Sequence, residues 1–114
     1  MAIQTTAQKN NLANDYAGDA LYGAVYTTAP GASAGTEPSG GSPAYARKSL
    51  SWSSASGGVV SATATFDIPS GTTVVGIGVH TAVTAGTYLD GASITSQAFA
   101  SQGTLTVTFT YTQS

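Results

Sequence analysis

The sequence predicts an all-β protein: a single antiparallel β-sandwich, jelly-roll-like, or a small barrel of about seven strands, preceded by an N-terminal arm and a short helix. Three observations carry this reading. Apolar and hydroxyl residues alternate cleanly through Val60–Ile68 and again through Thr104–Thr112. Gly, Pro and Ser clusters punctuate the chain at short intervals. No strand–helix–strand rhythm and no internal repeat occurs, which argues against a parallel sheet.

Taken in order, Met1–Gln4 reads as a loose arm able to order on a neighbour. Thr5–Ala20 is the one segment with helical spacing. Thr5 or Thr6 supplies a cap, and Ala7, Leu12, Ala13, Tyr16, Ala17 and Ala20 fall near one stripe. Asn10, Asn11 and Asn14 oppose it, because asparagine side chains compete for backbone hydrogen bonds. So short a helix is marginal alone in water and must dock on the body. Residues 1–20 are therefore set apart as arm and helix, and 21–114 as the sandwich domain.

Leu21, Tyr22, Val25 and Tyr26 suit a strand that stops at Ala29-Pro30-Gly31, and a Gly/Ser/Pro loop runs on to Pro43. Tyr45–Trp52 is expected as a strand that buries Leu50 and Trp52 and leaves Lys48 at its exposed end. After the Ser56-Gly57-Gly58 turn, Val60, Ala62, Ala64, Phe66 and Ile68 face the core, and Pro69-Ser70-Gly71 ends the strand. Val75, Ile77 and Val79 form the next strand, with Gly76 and Gly78 predicting close approach of a neighbour on its other face. Thr87–Leu89 and Ser93–Phe99 read as two short strands split by an Asp90-Gly91 turn. Leu105, Val107, Phe109 and Tyr111 alternate with threonines in the strongest strand pattern of the chain.

Composition excludes several functions. The chain has 114 residues, is 7% charged, and carries a net charge of −2. Lys9, Arg47 and Lys48 are the only basic residues, too few for a phosphate-tracking surface, so nucleic acid is not an expected partner and neither is an anionic membrane. There is no cysteine, hence no disulfide and no thiolate metal site. The first residues lack the charged start and apolar run of a secretory signal, and no run reaches membrane-spanning length, so synthesis in the cytoplasm is expected. A surface this poor in charge resists association weakly, which points to a protein that lives packed against others, including copies of itself.

Gly31-Ala32-Ser33-Ala34-Gly35 fits the G-x-S-x-G pattern with Asp67 and His80 downstream. The match is rejected, because that motif requires a tight strand-to-helix turn on a parallel sheet. His80 is the single histidine. A general base oriented by Asp67 or Asp90 is weighed against a strand-end histidine bonded to backbone, and the second is preferred. No catalytic residue, cofactor or metal site is assigned. The six tyrosines and Trp52 suit either interfaces or a small core with hydroxyls at its rim.

The run Tyr22–Pro30, then Glu37 with Ser39-Gly40-Gly41, Tyr45-Ala46-Arg47, Ser51-Trp52 and Phe66–Val74 resembles a family of small virion proteins from tailed bacteriophages of actinobacteria. The matching blocks keep their order over about Leu21–Leu89. Thr27 stands where that family commonly has histidine, Ala29 replaces an acidic turn residue, and His80 lies a few positions beyond the family's usual one, so no role passes to His80.

The resemblance implies a virion component without catalysis. The first expectation is an accessory capsid (decoration or minor capsid) protein on the outer surface of the head, bound to the major capsid protein and homo-oligomeric. The alternative is a minor tail or fibre protein, bound to tail structural proteins, that holds a host-surface glycan. The expected contact residues are Glu37, Tyr45, Arg47, Lys48 and Trp52 in the loop-to-strand segment, with Ile3, Leu12 and Tyr16 in the arm and helix. Glu37 and Arg47 could pair between subunits, where an exposed pair would contribute only ~0–1 kcal/mol and select register more than add strength.

Overall fold

A computed structural model describes all residues, Met1–Ser114. One helix, α1 (Thr6–Asp19), precedes six strands: β1 (Tyr22–Tyr26), β2 (Lys48–Ser49), β3 (Val59–Ile68), β4 (Thr72–His80), β5 (Tyr88–Phe99) and β6 (Gly103–Thr112). All pairings are antiparallel. One sheet has the order β2-β1-β4-β5, and the other is the ribbon β3-β6. The turns after Ile68 and after Phe99 each carry the chain from one sheet to the other. The result is an elongated β-sandwich of 47 × 23 × 22 Å with no closed barrel.

In β3 and β6 the core lies where the alternation placed it, while in β4 Val74 enters it and Val75 does not. Val60, Ala62, Ala64, Phe66 and Ile68 of β3 are all buried, and Val107 and Phe109 of β6 join them. Opposite stand Val25, Leu50, Val74 and Val79. On the outer face of the ribbon, Thr63 and Thr108 approach at 3.2 Å between hydroxyls, and Thr65 and Thr106 at 3.0 Å.

The helix forms as expected. Thr5 Oγ1 accepts from the Gln8 N–H, a standard N-cap. The asparagines that weaken its propensity have a tertiary purpose. Asn10 Oδ1 accepts from the Gly58 N–H at 2.7 Å, and Asn14 Oδ1 accepts from the Ala55 N–H at 3.1 Å. They tie α1 to the turn that feeds β3. At the other end, Trp52 Nε1 donates to the Ala20 carbonyl at 2.7 Å.

Two strands depart from the expectation. Thr87–Leu89 and Ser93–Phe99 are one strand, not two. Asp90 and Gly91 pair with Val79 and Gly78 in the ladder, and the register shifts on either side of them, between Val79 and His80 and again between Val74 and Gly76. The Tyr45–Trp52 strand shrinks to Lys48–Ser49, because β1 offers it only Tyr22 and Gly23 as partners. Leu50 is buried as expected, Trp52 only half-buried, and Lys48 reaches Asp67 at 3.4 Å. Six strands therefore stand where about seven were expected.

The two glycines of β4 meet the neighbours they predicted. A Cβ on Gly78 would overlap the Tyr26 hydroxyl and lie 2.6 Å from its ring, and one on Gly76 would overlap Pro30. Tyr26 is 0% exposed beneath the loop that follows β1. Gly78→Ala is therefore expected to lower the unfolding free energy by about 1–3 kcal/mol, the usual cost of overpacking. Urea titration against the parent checks this, and an unchanged midpoint would refute the packing account.

Candidate functional site

One end of the sandwich is built from the segment Gly35–Arg47 and the β4–β5 loop, Thr81–Thr87. Because β2 ends after two residues, the Val25 N–H on that edge of β1 lacks a strand partner. Tyr45 supplies one: its Oη accepts from the Val25 N–H at 3.2 Å and donates onward to Glu37 Oε1 at 2.8 Å. The Tyr45 ring meanwhile stacks on Phe66, with centroids 6.4 Å apart.

Glu37 is then gripped by Arg47. Nε donates to both carboxylate oxygens, at 3.1 and 3.2 Å, and Nη2 donates to Oε2 at 2.8 Å. Nη1 of Arg47 reaches across to the Ala82 and Ala85 carbonyls, at 3.0 and 2.8 Å. Ala85 adopts φ 53°, a left-handed conformation that costs an alanine about 1–2 kcal/mol. Arg47 thus fastens a strained loop tip to the Glu37 segment. The pair lies within one chain, which corrects the expectation of a pair between subunits.

Burial alone would raise the Glu37 pKa, but hydrogen bonds from Arg47 and Tyr45 and the Arg47 charge outweigh it and hold the carboxyl below its usual range. Burial first, and then the Glu37 bond, push the Tyr45 phenol up. Every polar side-chain atom of Glu37 and Tyr45 is committed to this network. A shallow depression of about 340 Å³ beside it is lined by Glu37, Pro38, Tyr45, Arg47, Val83 and Ala85. The arrangement is a clamp that sets the shape of an exposed loop platform.

His80 lies under the same platform, 3% exposed. Its Nε2 and the Tyr26 hydroxyl are 2.6 Å apart, so its partner is a phenol and not the backbone expected for a strand-end histidine. Neither expected carboxylate orients it. Asp67 pairs with Lys48, and Asp90 accepts from Tyr16 Oη at 3.0 Å and from the Gly91 N–H. Burial, and then the Arg47 charge, lower the His80 pKa, only partly offset by Glu37. The site therefore disfavours the charged imidazolium.

The remaining expected contact residues are scattered. Tyr16 on α1 stacks on Tyr111 with centroids 3.8 Å apart, meets Trp52 edge-on, and hydrogen-bonds Asp90, bridging helix, ribbon and sheet. A cavity of about 70 Å³ sits beneath it, lined by Trp52, Ile77, Val79 and Phe109 among others. Leu12 is half-buried on α1 and Ile3 half-buried in the arm. Two groups come together: Glu37, Tyr45 and Arg47 at the platform, and Tyr16 with Trp52 beside α1. The partners contributed by Ala82 and Ala85 are backbone carbonyls, which leave no signature in a sequence.

A small sandwich whose polar residues serve to hold its own loops has the construction of a structural protein. A family model described as podophage GP4 fiber I protein gp80 matches residues 5–113, and the chain belongs to that family. It is thus a phage structural protein and a component of the virion. No curated protein matches it, and no solved structure does. No helix is long and apolar enough to cross a membrane.

Two outcomes are expected from this geometry. Arg47→Ala leaves the half-buried Glu37 carboxylate unpaired and frees the loop tip, so unfolding free energy should fall by about 2–3 kcal/mol. Calorimetry checks this, with Glu37→Gln expected to lose less because Tyr45 keeps an acceptor. Acid is the second test. Both His80 and Glu37 have folded values below their ordinary 6.5 and 4.5, so the folded state binds fewer protons than the unfolded one. Stability is complete above 6.5 and falls with pH, first through His80 and then through Glu37. His80→Gln should remove the first decline in a pH series of melting temperatures while leaving the second.

Proposed function

We propose that this protein is a structural, non-catalytic subunit of a virion fibre, and that it docks on a neighbouring virion protein through the clamped loop platform at one end. The observation that carries the fibre reading is the family match over residues 5–113. It supports fibre placement better than the accessory capsid position first expected on the outer surface of the head. The resemblance to actinobacteriophage virion proteins agrees with it at the level of phage structural protein.

The choice of end follows from the geometry. The platform carries Val83, 47% exposed, on a loop that Arg47 holds in a defined shape. A loop ordered before contact loses little further entropy on binding, which favours affinity. Stacking of a host glycan on Tyr45 is not part of the proposal, since that ring rests on Phe66 and its hydroxyl is engaged twice.

Electron cryo-microscopy of the intact particle, with a gold-binding tag at the C-terminus, tests the placement. Density and label in a fibre at low copy number are expected. Label distributed over the shell lattice, in hundreds of copies, would return the decision to the accessory capsid reading.

A further inference from the structure

The two sheets are unequal, four strands against two, and the sandwich handles its free strand edges in different ways. The edge of β1 is covered by β2 and by Tyr45. The edge of β3 is occupied at Ser61, whose carbonyl accepts from the Ser53 N–H at 2.8 Å and whose N–H donates to Ser53 Oγ at 3.1 Å. The edge strand β5 is broken by the register shift that sets Val74 opposite Gln97 and Gly76 opposite Ser93. The edge of β6 carries no such device.

The phase of the β3–β6 ladder shows what β6 presents. Gln113 N–H donates to the Gly58 carbonyl at 2.8 Å, so odd-numbered residues of β6 point their backbone groups at β3. Thr104, Thr106, Thr108, Thr110 and Thr112 occupy the other, non-hydrogen-bonded pairs. The close Thr63–Thr108 and Thr65–Thr106 hydroxyls agree, because side chains approach nearest in such pairs. The outward groups of Ser61, opposite Thr110, agree as well. The N–H and C=O groups of these five threonines therefore point away from β3, and no hydrogen bond within the chain uses them.

We propose that this edge joins two copies of the chain, β6 pairing antiparallel with β6 about a two-fold axis to make one four-stranded sheet from two ribbons. Thr108 then faces its own counterpart, and Thr104 and Thr106 face Thr112 and Thr110 of the other copy. Five pairs with two bonds each give about ten hydrogen bonds, the complement of an ordinary specific interface.

A second copy is the occupant the observations favour. The register of β6 with β3 is unbroken over ten residues, so its edge is straight enough to pair with itself. Not one charged residue occurs from Gly91 to Ser114, so self-pairing brings no like charges together. No lysine or proline, the usual protections of an open edge, interrupts it. The threonine ladder of the outer face continues unbroken across the junction. An isologous contact of this kind closes at two copies. The proposal is independent of where on the virion the protein sits.

Light scattering coupled to size exclusion, together with residue-resolved amide exchange, tests it on the full chain. Twice the chain mass of 11.3 kDa is expected, with the amides of Thr104 to Thr112 protected on even as well as odd residues. Thr108→Pro removes an edge donor without touching the β3 ladder, and should give a folded single chain whose remaining even-numbered amides exchange fast. Should that variant fail to fold, Thr106→Lys with Thr110→Lys places lysines face to face across the axis, and a single chain at low salt is expected. A monomeric parent, a three-fold mass, fast exchange at the even threonines of the parent, or a dimer that survives these substitutions would each overturn the proposal.

Discussion

Unequal sheets impose the constraint on which the rest of this structure depends. Each strand brings a row of hydrogen-bonding groups on either side, and any left dry and unpaired costs free energy comparable to a lost hydrogen bond. A four-stranded sheet laid on a two-stranded ribbon also leaves more face than the ribbon can cover. The protein answers with its irregular segments. The loop after β1 folds back over Tyr26 and the glycines of β4, Tyr45 stands in for the strand that β2 does not continue, and α1 lies against β3.

Tyrosine is the common tool. In a chain with three basic and five acidic residues, ion pairs are too few to connect the parts. Tyr16, Tyr26, Tyr45 and Tyr88 each place a ring among neighbouring residues and direct the hydroxyl to a partner in another segment: Asp90, His80, Glu37 and the Gly31 carbonyl. A phenol suits this task because it fills space with its apolar body and hydrogen-bonds at its tip. The one extended ionic network, Glu37 with Arg47, is placed where a strained loop most needs it.

These features suit a virion component. A particle protein must hold its shape outside the cell without repair, and this one has neither disulfides nor a cluster of side chains able to hold a metal. Its rigidity comes from sheet hydrogen bonds, a core of valine, alanine and phenylalanine, and tyrosine links between segments. Its neutral threonine surface favours packing against other protein surfaces over the binding of ions or polyanions.

Much of the fold was legible in the residue pattern, because burial with a period of two is written directly into β3 and β6. Gly76 and Gly78 foretold a close neighbour, since only the absence of a Cβ explains glycines in a buried strand. Thr5 foretold the helix start. The identity of what approached Gly78, the continuity of β5 through Asp90-Gly91, and the shortness of β2 were settled by partners distant in the chain. So was the clamp: Glu37 and Arg47 stood out as charges in a neutral sequence, but their intramolecular pairing and the carbonyls of Ala82 and Ala85 follow from loop placement. Local alternation determines which face of a strand is apolar. Which edge pairs, which is capped and which stays open depends on the three-dimensional count of strands in each sheet, and that only the tertiary structure decided.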